Sequence, residues 1–435
     1  MQLDLSATNF FKAYNNPVTP ANTLVADGDA FVGHYSGLTI ASAFQPLVSM
    51  THSRVVGFEA LARPRDGAGN AITPTRLFSP EFSSLDLIRL DQLAREVHVM
   101  NFGAQVRGPE WLFLNTTPDI FVRLVEGVAF DKLFPELEQL SDARVVLELT
   151  EHACIDEPKM REVITAHRNE RYLIAIDDFG SQQSNFDRVE ALRPEFVKLD
   201  RSLTKRSGED AVTRRVLKSI VSTIHQMGAM VVAEGLETTE EVMASMEADV
   251  DFFQGFWFAE PAPTLAASTE AVQPFIQLLW NEFNKRADGI EQRGKDVMTP
   301  FRTAIETAAR VFASTQNFPA AAASFLAVPG ALRAFLLDAN GIQLGKSITG
   351  AQSTGAKLAP LFPDAGANWS RRRYFCDAIQ SPGNPVFAGP HFSLTDGRDC
   401  MTAGVTVSRG GALSVICFDF QLPLLDFHSA LIDMC

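Results

Sequence analysis

Short apolar runs in the first part of the chain end repeatedly in a polar side chain suited to chemistry. VVGFE brings Glu59, WLFLN brings Asn115, VVLE brings Glu148, and LIAIDD brings Asp177 and Asp178; FVK then brings Lys198 and MVVAE brings Glu234. Carboxylates gathered at one place raise one another's pKa values, and the single ammonium of Lys198 does not balance Glu59, Glu148, Asp177, Asp178 and Glu234. Hard divalent cations do. Carboxylates with an amide oxygen from Asn115 form the ligand set that Mg²⁺ and Mn²⁺ favour. A bridging carboxylate beside a second aspartate can hold two metals roughly 3.5–4 Å apart, a spacing suited to in-line attack on a phosphodiester. For any one glutamate the ordinary alternative is a solvated loop residue or surface ion pair. For Asp177 and Asp178 it is helix capping. The recurrence of the device favours a metal site over capping.

These residues need a scaffold that brings them together. Strands are expected at Ala41–Val48, Val55–Ala62, Trp111–Asn115, Val145–Leu149, Leu173–Asp177, Phe196–Leu199, Met230–Glu234 and Phe252–Phe258. Each carries a polar residue in its C-terminal part, with Gln45 and Gln254 completing the set above. Two residues earlier sits an apolar or small one: Ala43, Gly57, Phe113, Val146, Ala175, Phe196, Val232 or Phe252. Strand side chains alternate, so each such pair shares a face. Segments between the strands have helical spacing, including Leu85–Val106, Pro158–Asn169, Asp210–Gln226 and Thr239–Ala248. This alternation predicts an α/β fold, a TIM-like (β/α)8 barrel, with its active site at the C-terminal ends of the strands.

The chain has 435 residues, room for a barrel and a second module. Its formal charge of −14 argues against duplex nucleic acid as a partner. The cysteines, 5 in number, are scattered without CxxC spacing and read as reduced thiols of a cytoplasmic protein. No signal peptide is recognisable at the N-terminus, and no run approaches the roughly 20 apolar residues of a membrane span. The expected division is an N-terminal extension (1–34), the barrel (35–285), a helical connector (286–317) and a C-terminal α+β domain (318–435). A hinge is expected near Gly294 and Pro300. In the last domain Leu332–Asp338, Met401–Ser408 and Ala412–Phe420 read as strands of an antiparallel sheet.

Glu59-Ala60-Leu61, continued by Arg63, resembles the signature of EAL-domain cyclic di-GMP phosphodiesterases. Further motifs follow in that family's order: FQPLV around Gln45, FLNTT with Asn115, ELTEH with Glu148 and Glu151, and DDFG with Asp177 and Asp178. VKLDRS with Lys198, AEGLET with Glu234 and Glu237, and QGFWF with Gln254 complete the set. The resemblance covers about residues 35–265 and implies a barrel with one antiparallel strand near its start. It implies that Glu59, Asn115, Glu148 and Asp177 bind a first Mg²⁺ or Mn²⁺, and that Asp177 and Asp178 hold a second. Lys198 would orient the attacking water and Glu234 would serve as general base. Arg63 would contact a substrate phosphate, Gln45, Glu237 and Gln254 would shape the substrate site, and Glu151 would brace the loop after Asp178. The implied reaction opens cyclic di-GMP to linear pGpG in a homodimer formed through the barrel. The alternative is a receptor that binds the nucleotide without hydrolysing it.

One loop departs from the family pattern. Ser181-Gln182-Gln183 stands where the family carries a glycine; activity is expected to be retained, with its level or regulation set by this loop. Trp369, Arg373, Tyr374, Phe375 and Ala378, with the strands ending at Asp419, resemble PAS-like or Cache-like sensory domains. Arg371–Arg373 beside aromatic residues suggests a small-molecule anion as ligand there.

Overall fold

The computed structural model describes residues 22–77, 84–116, 140, 145–150, 158, 161–162, 164–165, 172–181, 186–350, 361, 363–393, 399–409 and 412–422. It divides into two compact units, residues 1–281 and 282–435.

The first unit is built on strands β1 (Asn22–Asp27), β2 (Ala30–Tyr35), β3 (Leu38–Ser49), β4 (Arg54–Arg65), β5 (Trp111–Thr116), β6 (Val145–Thr150), β7 (Tyr172–Phe179), β8 (Phe196–Leu199), β9 (Met230–Ala233) and β10 (Phe252–Phe253). From β4 to β10 each strand pairs in parallel with the next. Strand β3 closes the ring by pairing antiparallel with both β4 and β10. The result is a closed mixed barrel of eight strands, β3 to β10, with β1 and β2 as an antiparallel extension.

That extension lies in a region the sequence reading left unassigned. Its turns obey hairpin chemistry: Gly28 takes φ 61° between Asp27 and Ala30, while Ser36 and Gly37 both take positive φ between Tyr35 and Leu38. Helix α1 (Ser84–Gln105) packs beside it. Leu90, Leu93, Ala94 and Val97, at helical spacing, form a core with Tyr35, Ile40, Ala62 and Leu77. The Asn101 side chain both accepts from the Phe31 backbone N–H (2.8 Å) and donates to its carbonyl (2.7 Å), tying α1 to β2.

The barrel interior is a layer of Leu47, Phe113, Val146, Ala175, Phe196, Val232 and Phe252. Six of these stand two residues before a polar residue of the opposite layer, as alternation predicts. Strand β3 is the exception. Because it runs backwards, the partner of Gln45 in this layer is Leu47, which follows it, and not Ala43. Gly57 has no side chain there because a Cβ would meet Trp111 and the Phe113 ring. Strand β10 is only two residues long, against the seven expected. At Gly255 a Cβ would lie 2.2 Å from the Leu236 carbonyl oxygen, so the chain turns there against the β9 exit loop.

Helices α2 (Phe186–Leu192), α3 (Arg201–Glu209), α4 (Ala211–Gln226) and α5 (Thr239–Glu247) follow β7, β8 and β9. Asp200, Asp210 and Thr238 cap the last three through side-chain oxygens. Helix α6 runs unbroken from Leu265 to Thr315, so neither Gly294 nor Pro300 interrupts it. Proline removes one N–H from the ladder, and the helix tolerates that loss at Pro300.

In the second unit, β11 (Ala331–Asp338), β12 (Ile348–Thr349), β13 (Val386–Phe392), β14 (Asp399–Arg409) and β15 (Ala412–Phe420) form an antiparallel sheet in the order β12-β11-β15-β14-β13. Both faces are covered. Ile416, Phe418 and Phe420 meet Met298, Phe301, Ile305 and Phe312 of α6 and Phe325 of α7 (Phe318–Leu326). Val415 and Cys417 meet Tyr374, Phe375 and Ala378 of α8 (Arg373–Gln380). On this second face lies a buried polar group that the sequence reading passed over. The Arg333 guanidinium pairs with Asp419 at 2.5 Å and Asp364 at 3.5 Å, and lies over the Phe335 and Trp369 rings. Arg373 is 75% exposed and pairs with Asp377 on its own helix.

The barrel layer makes a direct prediction. Phe196 is fully buried and meets Trp111, Phe113 and Phe252 edge-on or tilted. Phe196→Ala should cost about 3–5 kcal/mol, read as a lowered urea midpoint with an unchanged slope.

Candidate active site

At the C-terminal ends of the strands, the polar layer converges on Lys198. Its Nζ contacts Glu148 Oε1, reaches Glu234 Oε1 at 2.5 Å, and lies 3.5 Å from Glu59 Oε2 and 3.7 Å from Asp177 Oδ1. The ammonium is 1% exposed and the Glu148 side chain 0%. Each partner comes from a different strand or its exit: β4, β6, β7 and β9 surround β8. Burial pulls the Lys198 pKa down, but Asp177, Glu148, Glu234 and Glu59 outweigh it and hold it well above the usual lysine value. Glu148 is pushed well above the ordinary carboxylate range by burial first and by Glu59 next, against the pull of Lys198. Glu234 is also raised well above it, by burial foremost.

Amides frame the carboxylates. Gln254 Nε2 donates to Glu59 Oε2 at 2.6 Å and to Gln45 Oε1 at 3.2 Å, and Gln45 Nε2 donates to the Ala259 carbonyl. Asn115 Nδ2 donates to Glu59 Oε1 at 2.9 Å. Asp178 takes φ 59°, a left-handed conformation that aspartate accepts more readily than most residues. Its backbone N–H donates to Asp177 Oδ1. Arg63 shares the β4 face of Glu59, is half-buried, and donates to the Ala62 carbonyl. Burial lowers its pKa, partly offset by Glu59. Glu237 stands at the rim, paired with Arg201. Glu151, Gln182 and Gln183 lie outside the described residues.

A divalent cation fits this donor set. Ligand atoms of Glu59, Glu148 and Glu234 lie within 4.8 Å of one another. Glu148 Oε2 is buried without a hydrogen-bond partner, and four carboxylates face one ammonium. Sequence reasoning overlooked four contributors to the cleft of about 140 Å³ above them: Arg201, Gly235, Gly255 and Phe256 line it with Gln45, Glu59, Glu234, Glu237 and Gln254. A signal existed for Arg201, which stands three residues after Lys198 at the exit of a barrel strand.

Residues 36–261 match the EAL domain, more than half of the chain. The chain belongs to the EAL-domain family. Two Escherichia coli K12 proteins, PdeN and PdeD, each named a probable cyclic di-GMP phosphodiesterase, are 27% identical over 230 residues and 28% over 225. These matches cover 51% and 50% of this chain, which in turn spans 43% and 41% of the length of those relatives. The EAL-domain containing protein YkuI of Bacillus subtilis is 24% identical over 352 residues, 78% of this chain and 84% of YkuI. The YkuI crystal structure, in complex with c-di-GMP and calcium, shares the fold at a TM-score of 0.73 and 20% identity, over 88% of this chain and 94% of that one. The likeness of fold therefore extends beyond the EAL domain.

The raised carboxylates of this EAL site set a sign for pH dependence. A carboxylate whose folded pKa lies above its unfolded value of about 4.3 stabilises the fold below that value. The contribution is lost as pH rises through the folded pKa. For Glu148 and Glu234, chelated protein should therefore lose melting temperature between pH 5 and pH 8. Glu148→Gln should flatten that slope, and a divalent cation should raise the melting temperature more at pH 8 than at pH 5. Thermal melts across this range with and without chelator check both.

Proposed function

We propose that this EAL-domain chain is a metal-dependent phosphodiesterase that hydrolyses cyclic di-GMP to linear pGpG. The observation that carries this reading is the buried Lys198 ammonium ringed by Glu59, Glu148, Asp177 and Glu234 at the mouth of a barrel. The family membership and the names of PdeN and PdeD support the nucleotide.

Glu59, Asn115, Glu148 and Asp177 are the ligands we assign to one Mg²⁺ or Mn²⁺, and Asp177 with Asp178 to a second. Bound there, the metals would polarise the phosphoryl oxygens and activate a water for in-line attack. Lys198 holds its proton throughout and offsets the negative charge that grows as the water oxygen bonds to phosphorus. Glu234, basic for a carboxylate, accepts the proton that the water gives up. The P–O3′ bond breaks, the 3′ oxygen leaves and is protonated from solvent, and the phosphate remains on the 5′ oxygen. Arg63 pairs with substrate phosphate, a role for which a guanidinium is well shaped. Gln254 holds both Glu59 and Gln45, the two glutamines shape the substrate site, and Glu237 bounds the rim. Glu151 and the loop Ser181–Gln183 belong to the same proposal as the segment that tunes activity.

A homodimer through the barrel, a cytoplasmic location and regulation by the second unit complete the reading. No described helix is long and apolar enough to cross a membrane. The second unit is supported as a PAS-like sensory module by its antiparallel sheet with α8 packed on one face.

The deciding experiment incubates the protein with cyclic di-GMP and Mg²⁺ or Mn²⁺ and analyses the product. Linear pGpG should accumulate, chelation should stop it, and Ca²⁺ should support it poorly because its larger, flexible shell suits a tight two-metal site less well. Tight binding without product would show a receptor instead. Glu59→Ala should abolish turnover. Lys198→Ala should lower kcat by about 100-fold or more, as loss of a group needed in the transition state does. A rise in KM alone would contradict the role given to Lys198.

A further inference from the structure

We infer that Arg201 is a substrate-positioning residue that binds the second, non-reacting phosphodiester of the cyclic dinucleotide. The inference rests on the proposed hydrolase reading and adds to it the part of the substrate that the acidic cluster does not serve. A cyclic dinucleotide carries two phosphodiesters, and one of them is attacked at the carboxylate cluster. The other must lie against the cleft wall outside that cluster. The described lining of the cleft is acidic, with Glu59, Glu234 and Glu237, and an anion placed there requires a cation of its own. Arg201 is the basic side chain among those lining residues. Lys198 cannot take this part, because it is buried among carboxylates. Arg63, on β4, is assigned to a substrate phosphate and is not among the described residues that line this cleft.

The Arg201 side chain is placed for the purpose. Its backbone is fixed at the first turn of α3. Asp200 caps that turn through the Ser202 N–H at 2.9 Å, and the Thr204 hydroxyl donates to the Arg201 carbonyl at 3.0 Å. The same hydroxyl lies 2.9 Å from the Glu234 carbonyl, which ties the start of α3 to the end of β9. The aliphatic stem then lies over Gly235. A Cβ at position 235 would stand 2.6 Å from Arg201 Cγ and 2.7 Å from its Cβ, and Gly235 itself takes φ 62°. Glycine at 235 thus makes room for the arginine stem, and the stem carries the guanidinium to the rim. There it pairs with Glu237, with side chains 53% and 39% exposed. An exposed ion pair of this kind contributes little and is readily exchanged. A phosphodiester offers the guanidinium a bidentate partner of the same charge. Glu237 thereby keeps the guanidinium over the cleft until substrate takes its place.

The test compares two substrates in steady-state kinetics with Mn²⁺: cyclic di-GMP, and bis(p-nitrophenyl) phosphate, a diester with no second phosphate. Arg201→Ala should raise KM for cyclic di-GMP at least about tenfold, the scale of a charge-assisted hydrogen bond. The loss of kcat/KM on cyclic di-GMP should exceed the loss on the simple diester by a similar factor. Arg201→Lys should recover part of it. Equal losses on both substrates, or none on cyclic di-GMP, would overturn the assignment. If the wild-type protein hydrolyses neither substrate, the hydrolase reading has failed on its own account. Calorimetric binding of cyclic di-GMP in Ca²⁺ then decides Arg201 separately: affinity lower by about tenfold in Arg201→Ala supports it, and equal affinity, or no binding by either protein, refutes it.

Discussion

The constraint on which the barrel mouth depends is electrostatic: one buried ammonium serves four carboxylates delivered by four different segments. Removing Lys198 from water is costly, and the surrounding carboxylates hold it charged despite its burial. The reverse is not true. Glu148 and Glu234 remain raised well above the usual range although they contact Lys198. The site is thus over-supplied with negative charge, and no rearrangement within the layer relieves it, because every member is fixed at a strand end. Such a cluster persists when the rest of the fold stabilises it. The apolar layer immediately below, from Leu47 to Phe252, contributes to that stability.

The two layers are consequences of one alternation. Side chains on a barrel strand point inward at every second residue, so placing Phe113 in the core places Asn115 at the mouth. The same holds for Val146 with Glu148, and for Phe196 with Lys198. Strand β3 reverses direction and keeps the rule by reversing the order, with Gln45 before Leu47. This brings Gln45 directly opposite Glu59 on β4. The reversal has a chemical use, since Gln254 can then donate to both side chains across the closing seam. The closure of the barrel and the placement of a site carboxylate are one arrangement.

Much of this was legible in the sequence. The apolar runs ending in Glu59, Glu148, Asp177, Lys198 and Glu234 mark both the strands and the site, because burial on both faces writes continuous apolar stretches. Other features were hidden for identifiable reasons. The direction of β3 leaves no trace in an alternating pattern, so Ala43 and Leu47 were interchangeable. Strand β10 was overestimated because Phe256, Trp257 and Phe258 suit a strand by type, whereas the close approach of Leu236 at Gly255 bends the chain. The first hairpin was missed although Asp27-Gly28 is a turn signal, since its strands, NTLVAD and AFVGHY, do not alternate apolar and polar residues in the period of two that marks a half-buried strand. Arg201 was quoted within VKLDRS, where only Lys198 was singled out, because nothing in the motif shows that its side chain reaches the cleft. Arg333 sat in an apolar strand, ALRAFLLD, where a lone charge demands a buried partner; its partner Asp419 is distant in sequence and adjacent only through the pairing of β11 with β15.

That buried pair gives the second unit a different character from the first. Arg333 and Asp419 face each other across β11 and β15, and Thr402 on β14 donates to the other Asp419 oxygen at 2.6 Å. His391 on β13 lies 3.2 Å from the Thr402 hydroxyl and stacks on Tyr374, with its pKa lowered by burial. The polar chain thus crosses four of the strands and reaches α8. At the barrel mouth the negative charge exceeds what one lysine compensates. Here the arginine meets two carboxylates, the remaining acceptor is taken by a hydroxyl, and two aromatic faces cover the guanidinium. Opposite charges are paired within this network, and a buried network helps to fix a single arrangement of the strands that carry it. The same physics of buried charge therefore gives a locking device in one unit and, in the other, a surplus that invites a cation.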